Sequence, residues 1–156
     1  MILAHLPSGY LSGRDRRRAA VMIGSVAPDR DMPWFWLVDQ GQPHHHRFWP
    51  HIPAIWALIA LAALPLTHWL AHSWLPAVAG FLAAILMHLV LDTWNGGIMW
   101  LLPWSNHLHE LFTVPATRSH WVLSFMLHPS FLAEVAIIMA ALWLIWRDLS
   151  GWKIPA

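Results

Sequence analysis

The chain has 156 residues, of which 58% are hydrophobic and 11% charged, against about 25% charged in ordinary soluble domains, so it reads as a membrane protein. A formal charge of +1 argues against the basic surface that nucleic acid binding needs, although twelve histidines can add charge in mildly acidic conditions. With no cysteine, disulfides, iron–sulfur clusters and thiolate zinc sites are excluded, and any metal takes nitrogen and oxygen ligands.

Thirteen tryptophans suit the membrane interface, and Trp49, Trp69, Trp74, Trp94 and Trp104 fall beside the ends of apolar runs. Residues 1–13 are mixed, with Pro7, Gly9 and Gly13 against a long helix, and they bring His5 into an apolar setting. The N-terminus lacks the basic, apolar and small-residue sections of a removable signal peptide. Residues 14–27 open with the basic run Arg14-Asp-Arg-Arg-Arg18 and continue as a helix too short to span, expected to lie along the interface. Pro28 ends it, and Asp29 and Asp31 follow beside apolar sequence, where an unpaired carboxylate is costly. Residues 32–51 lack helical periodicity and read as an interfacial loop bearing His44, His45, His46 and His51.

Residues 52–70 are an uncharged run long enough for one crossing, with Pro65 predicted to kink its far end, and residues 74–92 return as a second. The second carries His88 and Asp92, one helical turn apart and therefore on one face, just before Asn95-Gly96-Gly97 breaks the helix. Antiparallel spans put His46 and His51, before the first, at the same end as His88 and Asp92, while His68 and His72 fall at the opposite end. Residues 98–104 are too short to cross and are expected to dip into the interface. His107-Leu-His109-Glu110 has the wrong order and spacing for the zinc-protease pattern H-E-x-x-H. Residues 131–146 make a third, slightly short span with Glu134 inside it, a functional position by default with His88 or another site histidine as its expected partner.

The expected fold is therefore all-α, a polytopic membrane protein with about three spans plus interfacial or re-entrant segments. It forms one domain over residues 1–156, with an interfacial N-terminal region (1–51), a transmembrane region (52–146) and a tail (147–156). Arg14, Arg16, Arg17, Arg18, Arg30, Arg47 and Arg118 are assigned to the site-bearing face and Arg147 and Lys153 to the other. Seven against two place the site at the cytoplasmic face.

His5, Asp29, Asp31, His46, His51, His88 and Asp92 thus collect at one end as candidate metal ligands. Seven groups exceed the three protein ligands of a typical catalytic zinc, which points to two ions or to some members acting behind the ligands. Carboxylates with histidines are the usual form of hydrolytic two-metal sites, where the ions activate water and stabilise a phosphoester's attacking and leaving oxygens.

Gly24-Ser-Val-Ala-Pro28-Asp29-Arg30-Asp31, then His46-Arg47-Phe-Trp-Pro-His51, then His88-Leu-Val-Leu-Asp92-Thr-Trp-Asn-Gly-Gly97, resemble the successive motifs of the YdjM/YbcI-type bacterial inner-membrane proteins. Members are classed as metal-dependent hydrolases, and some are described as LexA-binding. The resemblance runs from His5 to the span opening His128-Pro-Ser-Phe-Leu-Ala-Glu134. It implies metal binding by Asp29, Asp31, His46, His51, His88 and Asp92, and contact of Arg47 with a substrate phosphate. The motif set is also distantly similar to zinc-dependent phospholipase C, which implies a phosphodiester or phospholipid substrate. Arg30 and Ile52 depart from the pattern, where an apolar residue and a serine are usual. Arg30 either opposes a second cation or clamps an anionic substrate.

The resulting expectation is an inner-membrane, metal-dependent hydrolase of a phosphoester or lipid-linked substrate. It uses zinc, with manganese as the alternative, as one or two ions that activate water. Asp31 or Glu134 serves as proton acceptor and Arg47 contacts substrate. The rival expectation is a non-enzymatic scaffold that docks a cytoplasmic protein, or a metal-ion carrier. Membrane lipid is a partner in either case, and nucleic acid in neither.

Overall fold

A computed structural model describes residues 4–12, 17–40 and 45–150, so His44, Arg14, Arg16 and Lys153 lie outside the described residues. Among the described residues every named element is helical, with one isolated bridge between Ile98 and His109. The α-helices are α1 (His5–Ser12), α2 (Arg18–Val26), α3 (Met32–Leu37), α4 (Pro53–Leu70), α5 (Leu75–Asp92), α6 (Trp121–Met126) and α7 (Phe131–Ser150). Short 3₁₀ turns cover Pro28–Asp31, His45–Arg47, Trp49–His51 and His72–Trp74. The described parts of residues 32–51, namely 32–40 and 45–51, thus contain a short α-helix and two 3₁₀ turns where the lack of periodicity predicts a loop. Pro33 starts α3, as Pro53 starts α4 and Pro76 starts α5, because a first-turn proline gives up no helical hydrogen bond.

Two helices are long and apolar enough to cross a membrane, Pro53–Leu70 and His72–Asp92. Eighteen residues of α-helix extend about 27 Å, close to the hydrocarbon thickness of a bilayer. No residue of α4 is buried within the chain, and Leu58, Leu61, Leu66 and Leu70 are all exposed. A helix apolar all round yet uncovered by protein is solvated by lipid. The α4 helix runs on through Pro65 to Leu70. At 20 residues α7 is also long enough, but it carries Glu134, Arg147 and Asp148, and α4 and α5 alone qualify among the described residues.

The chain's interior is built where α2 lies against α5. Val21 faces Gly80, Gly24 faces the Phe81 carbonyl and Ala84, and Ser25 faces His88, so the two helices run parallel. Small residues let the backbones meet closely, as in membrane helix pairs generally. This corrects the expectation that residues 14–27 lie along the interface: the described part of that segment climbs alongside α5. Helix α1 packs back against α2, with Gly9 against Ser25, and also touches α7. Ile85, Leu89 and Ile98 form the apolar core, sealed by Ala27, Trp56, Phe81 and Trp100.

The parallel pairing moves the basic residues. The α7 helix starts beside the end of α5, where Trp94 Nε1 donates to the Ser130 carbonyl at 3.3 Å, and runs away from it. Near its other end, the Asp148 carboxylate accepts from Arg18 at 3.2 Å and from Tyr10 at 3.0 Å. Arg17 and Arg18 therefore sit with Arg147, at the end away from His88 and Asp92. The expected grouping of Arg17 and Arg18 with the site is corrected, and the charge count that set the site at the cytoplasmic face changes with it.

Candidate metal centre

The local i,i+4 pair forms as its spacing predicts, with His88 Nε2 3.0 Å from Asp92 Oδ2 in the last turn of α5. Three other segments close on it. The start of α1 brings His5 Nε2 to 3.0 Å from Asp92 Oδ1, and stacks the His5 ring on that of His88 with centroids 3.7 Å apart. The turn after α2 brings Asp29 Oδ1 to 3.6 Å from both His51 Nε2 and His88 Nε2. The two turns before α4 place His46 Nε2 at 3.4 Å and His51 Nε2 at 3.7 Å from Asp92 Oδ2. His5, His46, His51, His88 and Asp92 are buried, and Asp29 is half-buried at the mouth.

Each of three histidines has its other ring nitrogen held from behind. His88 Nδ1 lies 2.7 Å from the Ser25 carbonyl, and His46 Nδ1 lies 3.0 and 2.9 Å from the carbonyls of Gly96 and Gly97. A carbonyl can only accept, so Nδ1 carries the proton in both rings. His51 Nδ1 sits 3.2 Å from Asp31 Oδ2, the same arrangement with a carboxylate. In the neutral tautomer each Nε2 is then a lone pair aimed at carboxylate oxygens. The Nε2 atoms of His51 and His88 are buried and make no hydrogen bond of acceptable geometry, despite oxygens 3.0–3.7 Å away. Lone pairs facing lone pairs at that range repel unless a cation lies between them.

A proton or a metal ion could be that cation. Two ligand atoms of a tetrahedral zinc site with bonds of 2.0–2.1 Å lie about 3.3–3.4 Å apart. The observed 3.0–3.7 Å contacts bracket this value. One divalent ion with Asp29 and Asp92 sums to zero charge with every imidazole neutral. Protonating the rings instead would bury several positive charges, two of them on stacked rings. Burial pulls the His5 imidazole below its ordinary value, against the pull of Asp92, and so favours its neutral form. Burial opposes charge on His51 as well, but Asp29 and Asp31 outweigh it and raise that ring to about 9. Burial would raise Asp29, yet its contact with His51 and the nearby His88 and His5 hold it below the usual carboxylate range.

Three sets have ligand atoms close enough to share an ion: His5, Asp29 and His88; His51, His88 and Asp92; and His45, His46 and His51. Six of the seven expected ligands therefore converge. Asp31 stands behind His51, bonded to the nitrogen that faces away from the cluster. Arg47 follows His46 in its turn and is exposed. Glu134 is fully buried in the first turn of α7 and is outside all three sets. The backbone carbonyls of Ser25, Gly96 and Gly97 escaped the sequence reading. Their signal was the presence of Gly24-Ser25 and Gly96-Gly97 within the same motifs as the ligands. His45 was noted in the histidine run but not singled out, and it lies within reach of His46 and His51. His107 and His109 pack ring against ring, outside all three sets.

A shallow cavity of about 340 Å³, lined by Arg30, Asp31, Trp34, Phe48, Trp49 and Pro50, adjoins the cluster on the Asp31 side. Its one cation is Arg30, whose guanidinium lies 4.4 Å over the Trp49 ring. The model of the YdjM inner membrane protein family matches residues 2–152. No curated protein and no solved structure matches the chain.

Proposed function

The chain belongs to the YdjM inner membrane protein family, and from that premise we propose that it is a membrane-embedded, metal-dependent hydrolase of a lipid-linked or phosphorylated substrate. The observation that carries this reading is the set of Nε2 lone pairs facing Asp29 and Asp92 while Nδ1 is tied back to carbonyls and Asp31. Backing of this kind fixes tautomer and orientation in metal-binding histidines. The donor set of nitrogen and carboxylate oxygen suits zinc, with manganese second.

His5, Asp29, His46, His51, His88 and Asp92 would hold the metal. When bound, the ion would supply Lewis acidity and lower the pKa of water enough to make it a nucleophile. Asp31 keeps the His51 ring in place. Asp29, at the half-buried mouth, stands where a proton from water can be taken, a role the sequence had offered to Asp31 or Glu134. Arg30, whose guanidinium lies 4.4 Å over the Trp49 ring, would offer its donors to an incoming phosphate, and Arg47, exposed next to His46 in the chain, is a second candidate for that contact.

The carrier alternative needs a polar path between the ends of the spans. The α5 segment Leu75-Pro-Ala-Val-Ala-Gly-Phe-Leu-Ala-Ala-Ile-Leu-Met87 contains no polar side chain, and α4 is apolar from Pro53 to Leu66. The scaffold alternative survives as an outcome of the test. Elemental analysis of the detergent-purified protein is expected to find near-stoichiometric zinc or manganese, lost in both His88→Ala and Asp92→Ala. Metal-loaded protein should then hydrolyse members of a phosphoester and phospholipid panel. Wild-type protein that stays metal-free when supplied with these ions overturns the reading, whereas bound metal with no turnover leaves a metal-stabilised scaffold.

A further inference from the structure

Between α4 and α5 runs an open groove of about 980 Å³, which the metal-ligand cluster does not use. Its lining extends from Pro53 to Leu64 on α4 and from Leu89 back to Ala79 on α5, about 15–17 Å at the helical rise. The loop after α5 adds a third wall through Trp100, Leu102 and Pro103. Every lining side chain is apolar, and the indole N–H groups of Trp56 and Trp100 donate elsewhere, to the Pro50 carbonyl at 2.7 Å and the Thr93 hydroxyl at 2.9 Å. The groove is built for hydrocarbon.

Its length and position select the occupant. The hydrocarbon core of a bilayer is about 30 Å thick, so a groove about half as long, starting at the site end, matches one leaflet. A second copy's spanning helix would run the whole crossing and meet the third wall at the site end, whereas a lipid tail ends with its leaflet. The groove also backs onto the cationic cavity. Trp49 lines that cavity with Arg30, Trp56 lines the groove, and the two rings lie 5.9 Å apart, with Pro50 of the cavity wall accepting the Trp56 bond. The residue after Pro50 is His51, a candidate ligand. One short stretch, Trp49 to Trp56, thus joins a cationic hollow, the ligand cluster and an apolar groove. We propose that the groove holds a tail of a phosphate-bearing membrane lipid whose headgroup lies in the Arg30 cavity. Resting on the hydrolase reading, this narrows the substrate to a lipid phosphoester rather than a water-soluble one, with Trp49 and Trp56 dividing headgroup from tail.

The test uses a phosphonate analogue of phosphatidic acid, which no phosphoesterase cleaves, with a photoreactive diazirine near the end of one tail. It is added to the full chain in detergent, and cross-linked peptides are mapped by mass spectrometry. Attachment is expected around Leu64 and Ala79, at the inner end of the groove. Ala57→Phe and Ala83→Phe fill the groove from opposite walls, displacing about two methylenes of the tail, and each should cut the yield at sub-saturating probe about tenfold. Arg30→Gln should cut it as well, while Ala62→Phe, exposed on α4 outside the groove, should leave it unchanged. Unlabelled phosphatidic acid should compete, and diacylglycerol or inorganic phosphate at the same concentration should not. Diacylglycerol competing as strongly as phosphatidic acid, or cross-links spread evenly around α4, overturns the proposal and leaves ordinary annular lipid. An unlabelled groove with a dimer that Ala57→Phe and Ala83→Phe dissociate also overturns it, and makes the groove an interface between copies. A chain that binds the probe as expected yet turns over no phosphoester keeps the lipid site and loses the hydrolase reading. Turnover of soluble phosphoesters with an unlabelled groove does the reverse.

Discussion

Replacing Asp31 with asparagine separates a ligand from a residue that positions one. Asp31 Oδ2 lies 3.2 Å from His51 Nδ1, and its carboxylate is buried on the side of the ring away from the cluster. Asparagine keeps the size and can still accept that hydrogen bond, but removes the charge. Losing a partner of this kind costs roughly 10–100-fold in metal affinity, or about 1.4–2.8 kcal/mol. A second effect opposes it. Metal binds neutral His51, whose folded pKa is raised to about 9, so at pH 7 binding must expel a proton, which weakens it there by roughly a hundredfold. Wild-type affinity should therefore rise about tenfold per pH unit from about 7 to about 9 and then level off. Without the Asp31 charge His51 holds its proton less tightly, so the rise ends at lower pH. The variant's deficit is then smallest near neutrality and greatest above pH 9. Zinc titration against a competing chelator in detergent, from pH 6.5 to 9.5, measures both quantities. Complete loss of zinc would make Asp31 a ligand. An unchanged affinity and pH profile would refute the His51–Asp31 linkage altogether.

Other substitutions probe the parts that hold the cluster together. Gly96→Ala drives a Cβ into the His46 ring and should release zinc, whereas Gly97→Ala, at φ +72°, adds strain of about 1–3 kcal/mol and should retain it; metal content after dialysis separates the two. Gly24→Ala places a methyl against the Phe81 carbonyl, prises α2 from α5 and should cost about 1–3 kcal/mol, read as a lowered midpoint in detergent unfolding. Because the same movement withdraws the Ser25 carbonyl from His88, zinc affinity should fall in that variant too. Arg30→Gln should leave metal content intact and raise KM for an anionic substrate more than it lowers kcat; an unchanged KM would remove Arg30 from substrate binding.

The spans were legible because hydrocarbon imposes its own rule: an uncharged run of the right length can only be a helix, so α4 and α5 end within a residue or two of where composition places them. The His88/Asp92 pair was legible for an equally local reason, since helical rise and twist alone set residues four apart on one face. The reach of His5, Asp29, His46 and His51 to that pair could be anticipated as a shared end of the molecule, and their family motifs marked them. Their distances could not, because they depend on how turns from separate segments pack. Asp31 and Asp29 look equivalent in the sequence. Packing alone sends one to the back of His51 and the other to the front of the cluster. The same holds for the arginine run, which composition assigns to the membrane surface near the site. Its helix instead runs parallel to α5, because Gly24 and Gly80 leave room for two backbones to meet, and that contact carries Arg17 and Arg18 to the opposite end. Local chemistry was determined by the sequence, and which ends and faces those chemistries share was decided by tertiary packing.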